Sequence, residues 1–186
     1  MLRNLEKIRE YVDKSFGSKK PHFERTVYWL LQLKPDADEA MQAAAYGHDI
    51  GRAFAPDRLP LYVRGMKIVD PRYVRKHEEL SGNKIYEFLI SCGAEKKFAM
   101  RVKNMVSHHE SGGDEESNLI KDADSISYFE NNAGIHLGWI EKGIGKVQVR
   151  EKYDFMLDRI TLEKARRIAR PFYKKWVRTL NRVRSA

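Results

Sequence analysis

The chain has 186 residues, 42% of them hydrophobic and 33% charged, the content of one globular domain and too apolar for a disordered segment. Apolar runs such as 28–33 and 88–92 fall far short of the ~18 residues that span a bilayer, and Cys92, the lone cysteine, excludes an internal disulfide framework or a thiolate zinc site and suits a reducing cytoplasm. The formal charge of +9 is local: Thr161–Ala186 holds nine basic residues and one acid, which leaves the first 160 residues near neutrality.

Residues 2–16 mix charges with apolar positions, unlike the continuous apolar stretch of a secretory signal, and read as the first helix. The segments 20–34 and 37–50 show apolar residues at spacings of three and four, as in Phe23, Val27, Leu30 and Leu31. Pro21 suits a helix start, and Lys34-Pro35-Asp36 is expected to break one helix and cap the next. Gly51 to about Met66 reads as a loop that folds over something. Helical patterns follow over 71–92, 94–109, 117–131, 147–158 and 161–184, with Ser111–Asp114 and Ala133–Lys146 as connecting loops. Alternating β-branched runs are missing, so the expected fold is an all-α bundle in one domain.

Five of the six histidines stand among acids: His22, His48 beside Asp49, His77, and the pair His108-His109, followed by Asp122 and Asp124. Imidazole and carboxylate without thiolate suit a divalent Mn, Fe, Ni, Co, Zn or Mg ion and hydrolytic or oxygen chemistry. Helices of a bundle can bring such side chains to one interior point. Asp122 reads as a surface acid or one that supports a ligand, and His136, in a glycine-scattered stretch, as structural.

Taken together, His22-Phe-Glu-Arg25, Tyr46-Gly-His48-Asp49-Ile-Gly51-Arg52, His77-Glu-Glu-Leu-Ser81, Val106-Ser-His108-His109-Glu110 and Leu119-Ile-Lys121-Asp122-Ala123-Asp124-Ser-Ile126 resemble the motifs of the HD-domain superfamily of metal-dependent phosphohydrolases. The resemblance covers about 22–126, a motif-bearing core of about 20–131, with the basic helix at about 161–184 packed on it. It implies an HD-type bundle with an interior metal site, in which His22, His48, Asp49 and Asp124 hold one ion. Asp124 is preferred to Asp122 because Ala123-Asp124-Ser125-Ile126 matches the family's late motif. Members with the extra histidines resemble binuclear enzymes in which the first Asp bridges two ions; His77, His108 and His109 would hold the second. His-His-Glu at 108–110 is similar to that of cyclic-dinucleotide phosphodiesterases, but their Gly-Tyr-Pro signature is missing after Glu110.

The implied activity is hydrolysis of a phosphomonoester or phosphodiester, of a nucleotide or related small molecule, with one or two divalent ions. Asp49 is the catalytic carboxylate that holds the ions and orients water. Arg25, one turn after His22, is expected to stabilise charge on the phosphoryl oxygens, and Arg25, Arg52 and Lys121 to bind substrate. Two other readings stand beside it: a di-iron oxygenase of the same fold with the same ligands, and a non-catalytic regulatory or nucleic-acid-binding module.

The last helix carries an apolar stripe of Leu162, Ala165, Ala169, Phe172, Trp176, Leu180 and Val183 that should pack on the body. Its basic faces read either as solvated surface or as an attraction for nucleic acid or another polyanion. Gly112-Gly113-Asp114-Glu115 spells most of a cyclase motif, but that motif needs a β-hairpin and here lies between helices.

Overall fold

The structure is a computed structural model and describes residues 3–55, 67 and 69–183. No strand occurs among the described residues, and the architecture is the all-α bundle expected. Helix α1 spans Arg3–Ser15, α2 Pro21–Leu33 and α3 Glu39–Gly47, followed by a 3-10 turn over Ile50–Phe54. From residue 56 to 66 the predicted covering loop lies outside the described residues. Helix α4 spans Pro71–Ser91, α5 Lys96–Val106 and α6 Glu115–Ser127. A widened π turn (Tyr128–Asn132), the short α7 (Ala133–Gly138) and a 3-10 turn (Ile140–Lys142) lead into α8, Lys146–Asp158, and α9, Glu163–Arg182.

Helix ends follow local chemistry. Pro21 opens α2, where its missing N–H leaves no bond unmade. Helix α3 is capped by Asp38, whose side chain accepts from the Met41 amide at 3.1 Å, and not from within Lys34–Asp36 as predicted. Asp114 of the cyclase-like tetrapeptide caps α6, accepting from the Ser117 amide at 2.8 Å. The expected loop at 133–146 instead contains α7 and a 3-10 turn. Glycine scatter hides so short a helix, which is held by its tertiary setting: Ala133 is fully buried and its carbonyl accepts from the Tyr153 hydroxyl at 2.8 Å.

Helix α6 is the axis of the molecule, with every residue from Leu119 to Phe129 buried. It packs on α2, α3, α5 and α9. An apolar cluster that includes Ile8, Leu30, Met41, Ile85 and Met105 ends along α6 at Ala123. A second begins at Ile126 and includes Phe129, Val149, Tyr153, Ala165, Ala169 and Leu180. Asp124 therefore sits at the seam between the two, where a carboxylate must find polar partners.

The α9 stripe docks as predicted through Ala165, Ala169 and Leu180, while Trp176 is half-buried and its indole N–H donates to the Phe129 carbonyl at 2.6 Å. Replacing Trp176 by Ala is expected to cost about 2–3 kcal/mol, less than for a fully buried ring, seen as a fall of about 5–10 °C in thermal melting. An unchanged melting temperature would contradict the docking. Arg167, Arg170, Lys174, Lys175, Arg178 and Arg182 lie exposed on the outer faces. No helix among the described residues is long and apolar enough to cross a membrane.

Candidate metal centre

The His48-Asp49 pair is set by a close backbone approach. The Gly51 amide donates to Ser81 Oγ on α4 at 3.1 Å, and a Cβ at Gly51 would come within 2.6 Å of that oxygen and 2.9 Å of the Ser81 backbone nitrogen. Only glycine lets the turn lie this near α4, and the approach brings Asp49 to His77. His22 comes from the first turn of α2, His109 from the turn after α5, and Asp124 from α6.

Two trios result, each with its ligand atoms within 4.8 Å of one another, and either could hold a metal ion. In one, Asp124 Oδ1 lies 3.0 Å from His22 Nε2 and 3.3 Å from His48 Nε2, and the two imidazole nitrogens are 3.3 Å apart. In the other, Asp49 Oδ1 lies 2.8 Å from His77 Nε2 and 3.6 Å from His109 Nε2. Asp49 groups with His77 and His109, while its second oxygen faces His48 Nε2 at 3.9 Å, so one carboxylate touches both trios.

The hydrogen bonds behind the rings fix their tautomers. Nδ1 of His48 donates to the Ala45 carbonyl at 2.9 Å and Nδ1 of His109 to the Val106 carbonyl at 2.6 Å. Ser127 spends its only proton on the His22 carbonyl, so its oxygen accepts from His22 Nδ1 at 2.9 Å. Each of these rings therefore turns Nε2 inward, where it could ligate a metal ion. His109 Nε2 is buried with no hydrogen-bond partner, a cost that a bound cation would remove.

Charge in the cluster is balanced by arginine. Arg159, at the end of α8, has a side chain only 6% exposed and bonds Asp124 Oδ2, Glu110 and Ser125 Oγ. Arg52 Nε bonds Asp49 Oδ1 at 2.7 Å, and its NH2 reaches Glu110 at 3.4 Å. Asp124, Arg159, Glu110, Arg52 and Asp49 thus form one chain of alternating sign that links the trios. Burial alone would raise the Asp49 carboxyl, but Arg52 and His48 hold it well below the usual carboxylate range; Arg159 and His48 do the same for Asp124. Burial opposes charge on His48, yet Asp124 and Asp49 outweigh it and raise the ring to about 9. His77, buried beside Arg52, is pushed down to about 3 and stays neutral.

Several expected residues lie elsewhere. Arg25 is drawn away from the cluster by Glu130, 2.8 Å from its Nε, and stacks on Tyr28 at 3.8 Å, so it does not line the cavity described below. His108 is exposed and its Nδ1 is held by the Asn104 carbonyl at 2.8 Å; one residue further round the turn points to the opposite side, and only His109 joins the trio. Lys121 turns to Asn118 Oδ1 at 2.8 Å. Asp122, fully buried, accepts from the Thr161 and Leu162 amides at 2.8 and 2.7 Å and so supports the start of α9. His136 is more than structural padding: it meets the Tyr128 hydroxyl at 3.2 Å and lines the cavity.

That cavity, of about 290 Å³, is lined by His22, Asp49, Asp124, Arg52 and Glu110 and by Tyr128, His136, Trp139, Lys152 and Met156 from the C-terminal third. Comparison with family models, curated proteins and solved structures returns no match.

Proposed function

We propose that the protein is a metal-dependent phosphohydrolase of the HD-domain type, acting in the cytoplasm on a phosphomonoester or phosphodiester of a nucleotide or related small molecule. The observation that carries the reading is the pair of adjacent buried His/Asp trios, joined by the approach of Asp49 to His48, with His109 Nε2 of the second trio unpartnered. His22, His48 and Asp124 would hold one divalent ion and Asp49, His77 and His109 a second. Such ions supply an acidified water as nucleophile and neutralise charge on the phosphoryl oxygens. The protein's own groups do the rest. Backbone carbonyls and Ser127 orient the rings, Arg159 holds Asp124, and Arg52 stands at the cavity edge where a phosphoryl oxygen can meet it. The cavity is of a size for a small substrate and not for a nucleic-acid strand.

The test is anaerobic metal analysis followed by a panel of phosphoesters assayed with Mn²⁺, Ni²⁺, Co²⁺ and Mg²⁺. Ion-dependent cleavage of a phosphoester bond is expected, read as phosphate from a monoester or as a monoester and an alcohol from a diester. Oxygen uptake by an iron-loaded, coloured protein that cleaves no phosphoester bond would overturn the reading in favour of an oxygenase.

A pH dependence follows from His48. Its ring, raised to about 9, is protonated at neutral pH in the metal-free protein, and ion and proton compete for Nε2. Binding of Co²⁺ at pH 7 should release a proton, and affinity should rise about tenfold per pH unit from 7 until it levels off near 9. Calorimetry in buffers of different ionisation enthalpy reads the proton directly; a flat profile over this range would contradict the assignment of His48.

A further inference from the structure

We infer that Arg52 is an exchangeable cation of this site: its guanidinium occupies Asp49 while no ion is bound, and a divalent ion taking that carboxylate turns it onto a phosphoryl oxyanion in the cavity. The inference rests on the metal-dependent reading above and goes beyond it in making anion binding conditional on metal.

Three groups converge on Asp49 Oδ1. Arg52 Nε stands 2.7 Å away, His77 Nε2 2.8 Å and the unpartnered His109 Nε2 3.6 Å. Oδ1 is the Asp49 oxygen that faces both imidazoles, the one an ion held by Asp49, His77 and His109 would take. A guanidinium and a divalent cation compete for one carboxylate oxygen, because two positive charges within bonding distance of it repel each other. Among the described residues Arg52 has one other ion-pair contact, and it is a loose one. Its second contact, to Glu110 Oε1, is 3.4 Å long, and the other Glu110 oxygen is committed to Arg159. It also has a way out, since its side chain is 26% exposed and lines the cavity.

Charge balance gives the displacement its direction. Asp49, Asp124 and Glu110 stand against Arg52, Arg159 and Lys152, with the His48 proton in addition, so the cluster holds no surplus of negative charge before any ion arrives. Divalent cations add positive charge to a desolvated cavity, and a phosphoryl dianion is the ligand that neutralises it. The planar guanidinium, released from one carboxylate, meets two phosphoryl oxygens in the same forked geometry.

Calorimetric titration of the full-length protein and of Arg52→Gln, with Co²⁺ and then with inorganic phosphate, tests this. In the wild type, phosphate should bind the Co²⁺-loaded protein at least fivefold more tightly than the metal-free protein. By linkage, phosphate should tighten Co²⁺ by the same factor. Arg52→Gln should shift the two ligands in opposite directions. Co²⁺ should bind the Asp49 site about tenfold more tightly without its competitor, while phosphate should bind the loaded protein at least about fivefold more weakly. Arg52→Lys keeps the charge and guards against a failure to fold. It should leave Co²⁺ affinity near wild type yet weaken phosphate, because an ammonium cannot fork. Equal Co²⁺ affinity in wild type and Arg52→Gln, or phosphate bound as tightly without metal as with it, would overturn the inference and leave the metal site standing. A wild type that does not bind Co²⁺ would overturn both; loss of Co²⁺ binding in a folded Arg52→Gln alone would overturn the inference.

Discussion

Asp49→Asn should lower metal-dependent phosphoester hydrolysis by about three orders of magnitude, the several kcal/mol of charge stabilisation that a bound divalent ion supplies. The amide keeps the shape of the carboxylate but loses its charge, and Asp49 is the residue whose two oxygens face both trios. Ion binding should fall with activity, while circular dichroism should keep its helical signal, because the ligand helices are placed by apolar packing of residues such as Ile85, Met105 and Ile120 and not by the ion. Full activity in this variant would end the account.

Removing Arg159 should give the largest loss of stability. Arg159→Met takes away the partner of two buried carboxylates, Asp124 and Glu110, and leaves both facing a protein interior. Deleting one member of a buried ionic network costs about 3–5 kcal/mol, which for a chain of this length lowers the melting temperature by about 10–15 °C. Glu110→Gln in the same background should recover part of the loss, because one of the stranded charges is then removed. A melting temperature within about 2 °C of wild type would show that the network contributes little to stability.

The contrast between these two residues shows what could be read from the sequence. Asp49 announces itself beside His48, and spacings of three and four placed α1 to α6 and the two last helices close to where they lie. His22, His77 and Asp124 come from separate helices, yet their residue types and order carried enough information to group them. Arg159 has no such signal. It stands in Met156-Leu-Asp158-Arg159, where a buried guanidinium spells the same as a solvated one, and its partners lie 35 and 49 residues earlier. The same limit explains Arg25: a basic residue one helical turn from a ligand is well placed on paper, but Glu130, 105 positions on, claims it. His108 and His109 could be told apart only by the course of the turn after Val106, which periodicity does not resolve. Helix α7 escaped because Gly134 and Gly138 argue against a helix locally, and tertiary contacts to Tyr153 and Trp176 outweigh them.

The wall of the cavity contributed by Tyr128, His136 and Trp139 shows that the C-terminal third is part of the site. Through Arg159 it fixes Asp124, and through Asp122 the start of α9 is tied back to the ligand helix. One helix, α6, thus carries both Asp124 of the candidate site and Asp122 at the start of α9. The two carboxylates, two residues apart on a buried helix, meet different partners: Asp122 the Thr161 and Leu162 amides, Asp124 the His22 and His48 rings and Arg159.

Two divalent ions are expected in the paired trios, with hydrolysis dependent on them. The most direct measurement strips the protein with chelator, reconstitutes it with increasing Mn²⁺ or Co²⁺ at neutral pH, and reads ions per chain and phosphoester turnover on the same samples. Occupancy approaching two ions per chain, with turnover rising in step, is the predicted result. A protein that binds no ion at saturating metal, or one whose turnover is indifferent to the ions it binds, would contradict it.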